Sequence, residues 1–407
     1  MGSPLDLDAL ALGAVRWDRM VRDFRALLAR ALEARLSLVQ FDPSPASSSP
    51  PGPRQDRALA LDLGGTWARS ALVRVTAQGA TIAAGPLAAR MPWQRGRPLD
   101  QDRFFEFQSE MIQKLAPEPD LPLGYCFSFP ARPTRDGDAR LLGWTKGVEV
   151  PGMVGRRVGR GMIDWLARRG GIRCPKVRVI NDSQALVYAA PFQAPTPLRM
   201  GLVVGTGTNL AVAWPPPRQE RPPRGGPVPE TVINLEAGGF FLPHLTRWDV
   251  QVDGASENPG EQRLEKAVSG LYLDRLLARI WAAAGRGAPP GLAALSGAAP
   301  EEQDAGMLAL AGALVRRSAR IVAALMAAAI DLRRQVSPID AVQVVAEGGL
   351  FWSRWGQIPL YAQTVSQTLT QWLAGQGLAH VRVTIQALAD ATLLGAARAA
   401  LEDASRG

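Results

Sequence analysis

Two short runs, Asp62-Leu63-Gly64-Gly65-Thr66 and Gly205-Thr206-Gly207-Thr208-Asn209, have the composition of turns that hold anions. Each interrupts an apolar, β-rich stretch. Ala58–Leu63 leads into the first and Ser70–Val75 leaves it; Met200–Val204 and Leu210–Trp214 flank the second. Glycines between two strands expose backbone N–H groups with no side chain in the way, so anionic oxygens can come close, and the threonine hydroxyls add neutral donors. Taken alone, either turn serves equally as a plain hairpin. Two of them, far apart in the chain, point to duplicated halves with one nucleotide clamped by both. No G-x-x-x-x-G-K-[ST] run is present, and no G-x-G-x-x-G run joins a strand to a helix.

Asn181-Asp182 follows an apolar strand. A carboxylate there can accept a proton from a hydroxyl, although on its own the pair reads as a turn or helix cap. The two cysteines, Cys126 and Cys174, supply neither a disulfide framework nor a Cys-based zinc site, and His244 and His380 have no metal-ligand spacing. Any divalent ion is expected on oxygen ligands and substrate phosphates.

These residues sit in a chain of 407 residues, long enough for two sizeable cores, with 47% hydrophobic and 20% charged residues. The net charge of +9 comes from arginines scattered among acids, without a basic block or an aromatic-basic pattern, so nucleic acid is not an expected partner. Lysine occurs only at Lys114, Lys146, Lys176 and Lys266, which makes each lysine worth weighing. The longest apolar region, Ala305–Ile330, is broken by Arg316, Arg317 and Arg320 and reads as a buried amphipathic helix, not a membrane span. With an acidic N-terminus lacking a cleavage site, the expectation is a soluble cytoplasmic protein, monomeric or homodimeric, with no membrane partner.

The positioning elements follow from periodicity. Leu5–Leu38 has helical spacing, and Pro43–Arg57, with five prolines and three consecutive serines, reads as a linker. From Ala58 the pattern is a strand hairpin, a third strand near Thr81–Leu87, a helix at Gln101–Leu115 and a strand at Leu123–Phe129. Helix Val154–Arg169, strand Lys176–Ile180 and a short helix from Ser183 complete that unit. The second hairpin is followed by an exposed insert, Pro215–Pro229, and by helices at Gly260–Gly285 and Glu301–Gln335. Strand Ala341–Val345, helix Trp352–Ala374, strand His380–Gln386 and helix Ala389–Glu402 close the chain. The resulting division is an N-terminal helix over 1–42 packing on the large domain, a linker over 43–57, a small domain over 58–199 joined by the helix at 389–405, and a large domain over 200–388. Two α/β halves are expected.

Phe127-Ser128-Phe129-Pro130, followed by Gly143-Trp144-Thr145-Lys146-Gly147, resembles the sugar-binding segment of the hexokinase family. Asn181-Asp182 resembles its catalytic aspartate motif. Asn258-Pro259-Gly260 with Glu265-Lys266 and Ser269-Gly270-Leu271-Tyr272-Leu273 is similar to the helix that closes the sugar site, and the two glycine turns are similar to its phosphate motifs. Val344-Val345-Ala346-Glu347-Gly348-Gly349-Leu350 resembles its adenosine motif. The resemblance, to one catalytic unit of the eukaryotic hexokinase/glucokinase type, runs from about Leu59 to the C-terminus. It implies an α/β, actin-like ATPase (ribonuclease-H-like) fold, two α/β domains flanking an interdomain cleft that takes ATP and sugar.

What the resemblance implies for single residues is specific. Asp182 is the expected general base and Lys146 its cationic companion. Ser128, Phe129, Pro130, Thr145, Lys146, Asn181, Asp182, Asn209, Glu236 and Glu265 are the expected hexose contacts. Gly64, Gly65, Thr66, Arg69, Gly205, Thr206, Gly207, Thr208, Gly348 and Gly349 are expected on ATP, with Asp62 holding Mg²⁺ through water. The implied activity is ATP-dependent phosphorylation of a hexose, glucose first, at its 6-hydroxyl. A sugar sensor of weak activity, or a kinase preferring fructose or mannose, are the alternatives. The chain departs from the family pattern at Trp67, Ala237, Glu347 and Gly349, where asparagine, tryptophan, aspartate and serine are usual.

Overall fold

Helical periodicity near the N-terminus resolves into α1 (Ala14–Ala34), whose Trp17, Met20, Val21, Phe24, Leu28 and Ala31 form one buried stripe. The computed structural model describes residues 7, 10–34, 40–46, 56–93, 96–145, 147–191, 197–215, 230–297, 304–355 and 360–404. The expected linker begins instead as a strand, β1 (Gln40–Ala46), which includes Pro43 and Pro45. Proline lacks the N–H that an inner strand needs, and β1 lies at a sheet edge with its register broken between Phe41 and Pro45.

The next strands are β2 (Arg57–Leu63), β3 (Trp67–Thr76) and β4 (Gly79–Arg90), followed by α2 (Gln101–Gln113), β5 (Leu123–Phe127) and a small ribbon of β6 (Ala131–Pro133) with β7 (Ala139–Leu141). The helix expected from Val154 starts later, at α3 (Val158–Trp165), and ends in one π turn closed by left-handed Gly171. Then come β8 (Val177–Ile180) and α4 (Asp182–Ala189). The sheet order is β4-β3-β2-β5-β8, antiparallel in the hairpins and parallel from β2 through β5 to β8.

After β9 (Leu198–Val204) and β10 (Thr208–Trp214), the insert from 216 to 229 lies outside the described residues, and β11 (Glu230–Asn234) follows. An unforeseen helix, α5 (Arg247–Gly254), is opened by a capping box between Thr246 and Asp249. The single helix expected over 260–285 is two, α6 (Arg263–Val268) and α7 (Gly270–Ala283), parted by extended Ser269. Next are α8 (Leu292–Gly297), the 30-residue α9 (Ala305–Arg334) and β12 (Ala341–Glu347). Last come α10 (Leu360–Gly375), starting eight residues after the expected Trp352, β13 (Arg382–Gln386) and α11 (Ala391–Ala404). These strands run in the order β1-β11-β10-β9-β12-β13. Among the described residues no helix is long and apolar enough to cross a membrane.

The chain divides into two compact units. One is Met1–Val39, Leu202–Leu210 and Leu235–Gln386; the other is Gln40–Gly201, Ala211–Asn234 and Ala387–Gly407. In the first, α1 lies on α9, with the Trp17 indole N–H donating to the Arg320 carbonyl at 2.7 Å. Arg317, which interrupts the apolar run of α9, is buried and makes a two-pronged ion pair with Asp249, at 3.0 and 2.9 Å.

In the second unit, strand alternation sorts the β2 side chains between two layers. Leu59, Leu61 and Leu63 pack with residues of α2 and α3, whereas Ala58 and Ala60 pack with Leu393, Ala397 and Leu401 of α11. Small residues on that face let α11 approach backbone to backbone. A Cβ on Gly124 would stand 2.0 Å from the Ala396 carbonyl oxygen, and one on Gly395 would stand 1.8 Å from that of Ala185 in α4. Gly395→Ala should therefore destabilise the protein by about 1–3 kcal/mol, whereas Gly375→Ala, with open space around it, should shift stability by less than about 0.5 kcal/mol. Urea unfolding midpoints of the two variants check this.

Candidate active site

The alternation that places Ala58 and Ala60 under α11 places Asp62 there too, at the end of β2. Asp62 Oδ2 accepts from Arg69 Nη2 at 2.6 Å, Arg69 Nε at 3.1 Å and Thr392 Oγ1 at 2.8 Å. Arg69 also reaches Thr392 Oγ1 at 2.7 Å and Asp390 Oδ1 at 3.4 Å. Its guanidinium, expected on phosphates, is thus engaged by carboxylates and holds Asp62 in place beside the first turn of α11. The opening N–H groups of a helix favour negative charge there.

The first glycine turn is pinned through its carbonyls. The Trp93 indole N–H donates to Gly65 at 2.7 Å, Met91 N–H to Thr66 at 2.9 Å, and Gly64 N–H to Trp67 at 3.0 Å. Among the described residues no backbone hydrogen bond engages the N–H of Gly65 or Thr66. The turn therefore keeps donors for an anion.

Ser128 follows β5, with its N–H on the Leu63 carbonyl at 3.2 Å. Phe129, expected to touch substrate, is buried among Trp93, Phe127 and Trp144, with ring centroids 5.7, 5.2 and 5.0 Å away. Its ring supports the segment from within, leaving Pro130 and Thr145 exposed. Lys146 lies outside the described residues.

Asn181 is the N-cap of α4. Its Oδ1 accepts from Ser183 N–H at 3.0 Å, while Gln184 Oε1 accepts from Asn181 N–H at 3.1 Å. Asp182 occupies the first helical position, with Oδ1 accepting from Ser183 N–H at 2.7 Å. Capping and chemistry need not compete: the cap fixes the direction in which the neighbouring carboxylate leaves the helix.

In the other unit the second turn meets the glycine pair after β12. Gly348 has φ of +119°, and a Cβ on it would lie 2.0 Å from the Val204 carbonyl oxygen, so only glycine allows this approach. Phe351 N–H donates to the same carbonyl at 3.1 Å. The helix expected from Trp352 does not start there: residues 349–352 form a turn, and α10 begins at Leu360. Gly205 N–H donates to the Gly207 carbonyl at 2.9 Å, and Gly270 N–H donates to the Gly205 carbonyl at 2.7 Å, which is what parts α6 from α7.

Three predicted polar residues gather around this turn. Glu265 Oε2 accepts from Thr208 N–H at 3.3 Å. Asn209 Oδ1 accepts from Leu210 N–H at 2.8 Å and Ala237 N–H at 3.1 Å, bridging to the segment that carries Glu236. Glu236 and Gln262 both hold left-handed backbone, with φ of +46° and +49°. For residues other than glycine such backbone is strained by about 1–3 kcal/mol, and it concentrates at functional sites. Thr206 is exposed, and Thr208 Oγ1 is buried without a hydrogen-bond partner among the described residues.

Three supporting residues escaped the sequence reading. Trp93, Asp390 and Thr392 have no local signal that ties them to residues 62–66. Lys266 is a buried cation whose Nζ donates to Asp253 Oδ1 at 2.6 Å and to the Asn258 carbonyl at 2.7 Å. Asp253 also accepts from Gly260 N–H at 3.0 Å and pairs with His244 Nε2 at 3.0 Å. This knot fastens Asn258-Pro259-Gly260 ahead of α6. Among the described residues no group of three or more His, Cys, Asp or Glu is gathered for a metal, and burial pushes the Cys174 thiol up to about 12, which keeps it inert.

Two family models, both described as hexokinase, match the chain, one over residues 7–191 and the other over 199–287 and 292–402. Human Hexokinase-3 is 34% identical over 268 residues, 63% of this chain and 28% of that protein. Hexokinase-2 of Candida albicans is 32% identical over 304 residues, 68% of this chain and 61% of that protein. The chain thus spans between about a quarter and three fifths of these relatives. The solved hexokinase of Schistosoma mansoni complexed with glucose superposes with a TM-score of 0.73 at 24% identity, covering 97% of each chain. At that identity the likeness is one of fold, and the fold is the actin-like ATPase one.

The Asp253 knot yields a pH test. Burial alone would raise its pKa, but Lys266, the Gly260 N–H and His244 together lower it from 3.8 to about 2. The folded state therefore gains stability above the unfolded value and loses it as pH falls through about 2. Asp253→Asn should be less stable than wild type by about 1–2 kcal/mol near neutrality, discounted for solvent screening, and the gap should close on acidification. Melting temperatures of both proteins across the acid range measure it.

Proposed function

The chain belongs to the hexokinase family, and on that premise we propose that it transfers the γ-phosphoryl group of ATP to the 6-hydroxyl of a hexose, giving hexose 6-phosphate and ADP. The observation that carries the reading is Asp182, an aspartate set on the first turn of α4 with one carboxylate oxygen fixed by the Ser183 N–H at 2.7 Å. A carboxylate so oriented accepts the proton of the primary hydroxyl as its oxygen attacks the γ-phosphorus and the bond to ADP breaks. Asn181, Ser128 and Thr145 supply hydroxyl partners, as do Asn209, Glu236 and Glu265, and Lys146 supplies positive charge.

Gly65 and Thr66 present backbone donors, and Gly205–Thr208 with Gly348 and Gly349 form the second nucleotide-binding element. The donor set suits Mg²⁺ carried in on phosphates: the Asp62 carboxylate, with no cluster of three metal-ligating side chains among the described residues. Bound there, the ion would neutralise charge on the β- and γ-phosphates. Glucose is the proposed acceptor, supported by the sugar held in the S. mansoni protein.

A coupled assay of ADP release, run with MgATP across glucose, mannose and fructose, tests the reading; sugar-independent release at the same rate would refute it. Asp182→Ala should lower the rate by about 10²–10⁴-fold while sugar binding stays measurable by calorimetry. Near-normal turnover of that variant would remove Asp182 as the base.

A further inference from the structure

The first turn lies beside a second guanidinium that the reading above leaves unused. Trp67 opens β3 directly opposite Arg90, the last residue of β4, and the next pair but one is Arg69 with Ala88. Opposed residues of an antiparallel pair share a face, and so do residues two apart along a strand. Trp67 and Arg90 therefore stand on the face that carries Asp62 and Arg69, one step nearer the turn. Met91 ties the end of β4 to the Thr66 carbonyl at 2.9 Å, so Arg90 is anchored next to the turn itself.

Both side chains are available. Trp67 is 55% exposed, the indole of a large apolar residue left in solvent, and Arg90 is exposed as well. Among the described residues Arg90 has no ion-pair partner and the Trp67 indole N–H no acceptor. Arg69 cannot serve in their place, because its guanidinium is held by Asp62, Thr392 and Asp390. A polyphosphate on the Gly65 and Thr66 amides would bring several negative charges to this edge of the sheet, where the carboxylates of Asp62 and Asp390 are both already paired with Arg69.

We infer that Arg90 and Trp67 form a donor-binding pair, with the Arg90 guanidinium and the Trp67 indole N–H hydrogen-bonding the phosphate chain of the phosphoryl donor. The inference rests on the kinase reading and deepens it, since it makes donor affinity depend on phosphate recognition by two exposed side chains outside the glycine motif. Arginine suits the role because its planar fork can engage two phosphate oxygens at once.

The test compares wild type with Arg90→Gln, Arg90→Lys and Trp67→Phe. Binding of inorganic tripolyphosphate is followed by calorimetry, and the KM values for MgATP and for glucose are measured separately. Arg90→Gln should weaken tripolyphosphate binding and raise the KM for MgATP by about fivefold or more, with the KM for glucose unchanged. Arg90→Lys should recover part of the loss, and Trp67→Phe, which keeps the ring and removes the N–H, should lose about two- to threefold. Unchanged tripolyphosphate affinity in both Arg90→Gln and Trp67→Phe overturns the inference, as does an equal rise in both KM values. If wild type shows no hexose-dependent turnover, the kinase reading fails; the calorimetry still decides whether the pair binds phosphate chains.

Discussion

The seating of α11 on the five-stranded sheet is the constraint from which the arrangement of its unit follows. Glycine at 124 and 395 lets the helix backbone come within van der Waals reach of β5 and α4. At its first turn Thr392 reaches Asp62, and further along Arg398 Nη1 donates to the carbonyls of Tyr188 and Ala190, at 2.9 and 2.7 Å, at the end of α4. One helix thereby fixes the carboxylate beside the first glycine turn and closes the far end of the helix that begins with Asp182. The position of each aspartate depends on the same close-packed layer.

The ionic groups of this basic chain are used in the interior as well as on the surface. Arg317 with Asp249, Lys266 with Asp253 and Arg398 with Glu402 are buried pairs, each furnished with further hydrogen bonds. Burial draws the pKa of Arg398 down to about 10, against the opposing influence of Glu402. Such pairs add little net stability over a well-packed apolar core, yet removing one member leaves a stranded charge. Their value lies in direction: Arg317 and Lys266 each tie one helix to another, and Arg398, paired within its own helix, reaches the end of α4 through the carbonyls of Tyr188 and Ala190.

The glycine turns, the Asn-Asp cap and most strands were legible in the sequence because each is encoded by neighbouring residues. Period-two alternation in 58–63 sets Asp62 on the face opposite the leucines. What stayed hidden depends on pairings far apart in sequence. Nothing around Thr392 announces a partner 330 residues earlier, and nothing in 260–285 shows that Gly270 will donate to Gly205 and interrupt a helix. The strand at 40–46 was hidden by its prolines, which suit a linker as well as a sheet edge. The inward turn of the Phe129 ring was hidden for a related reason: its neighbours Ser128 and Pro130 are more exposed, and the rings of Trp93 and Trp144, contributed from elsewhere, pack on its own.

The return of the chain in α11 also has a temporal side. The layer that covers Ala58, Ala60, Ala71 and Val73 is made by residues translated more than three hundred positions later. During synthesis that apolar face emerges from the ribosome without its cover and waits, at about 5–20 residues per second, for tens of seconds. High contact order of this kind slows folding and leaves nascent chains open to aggregation.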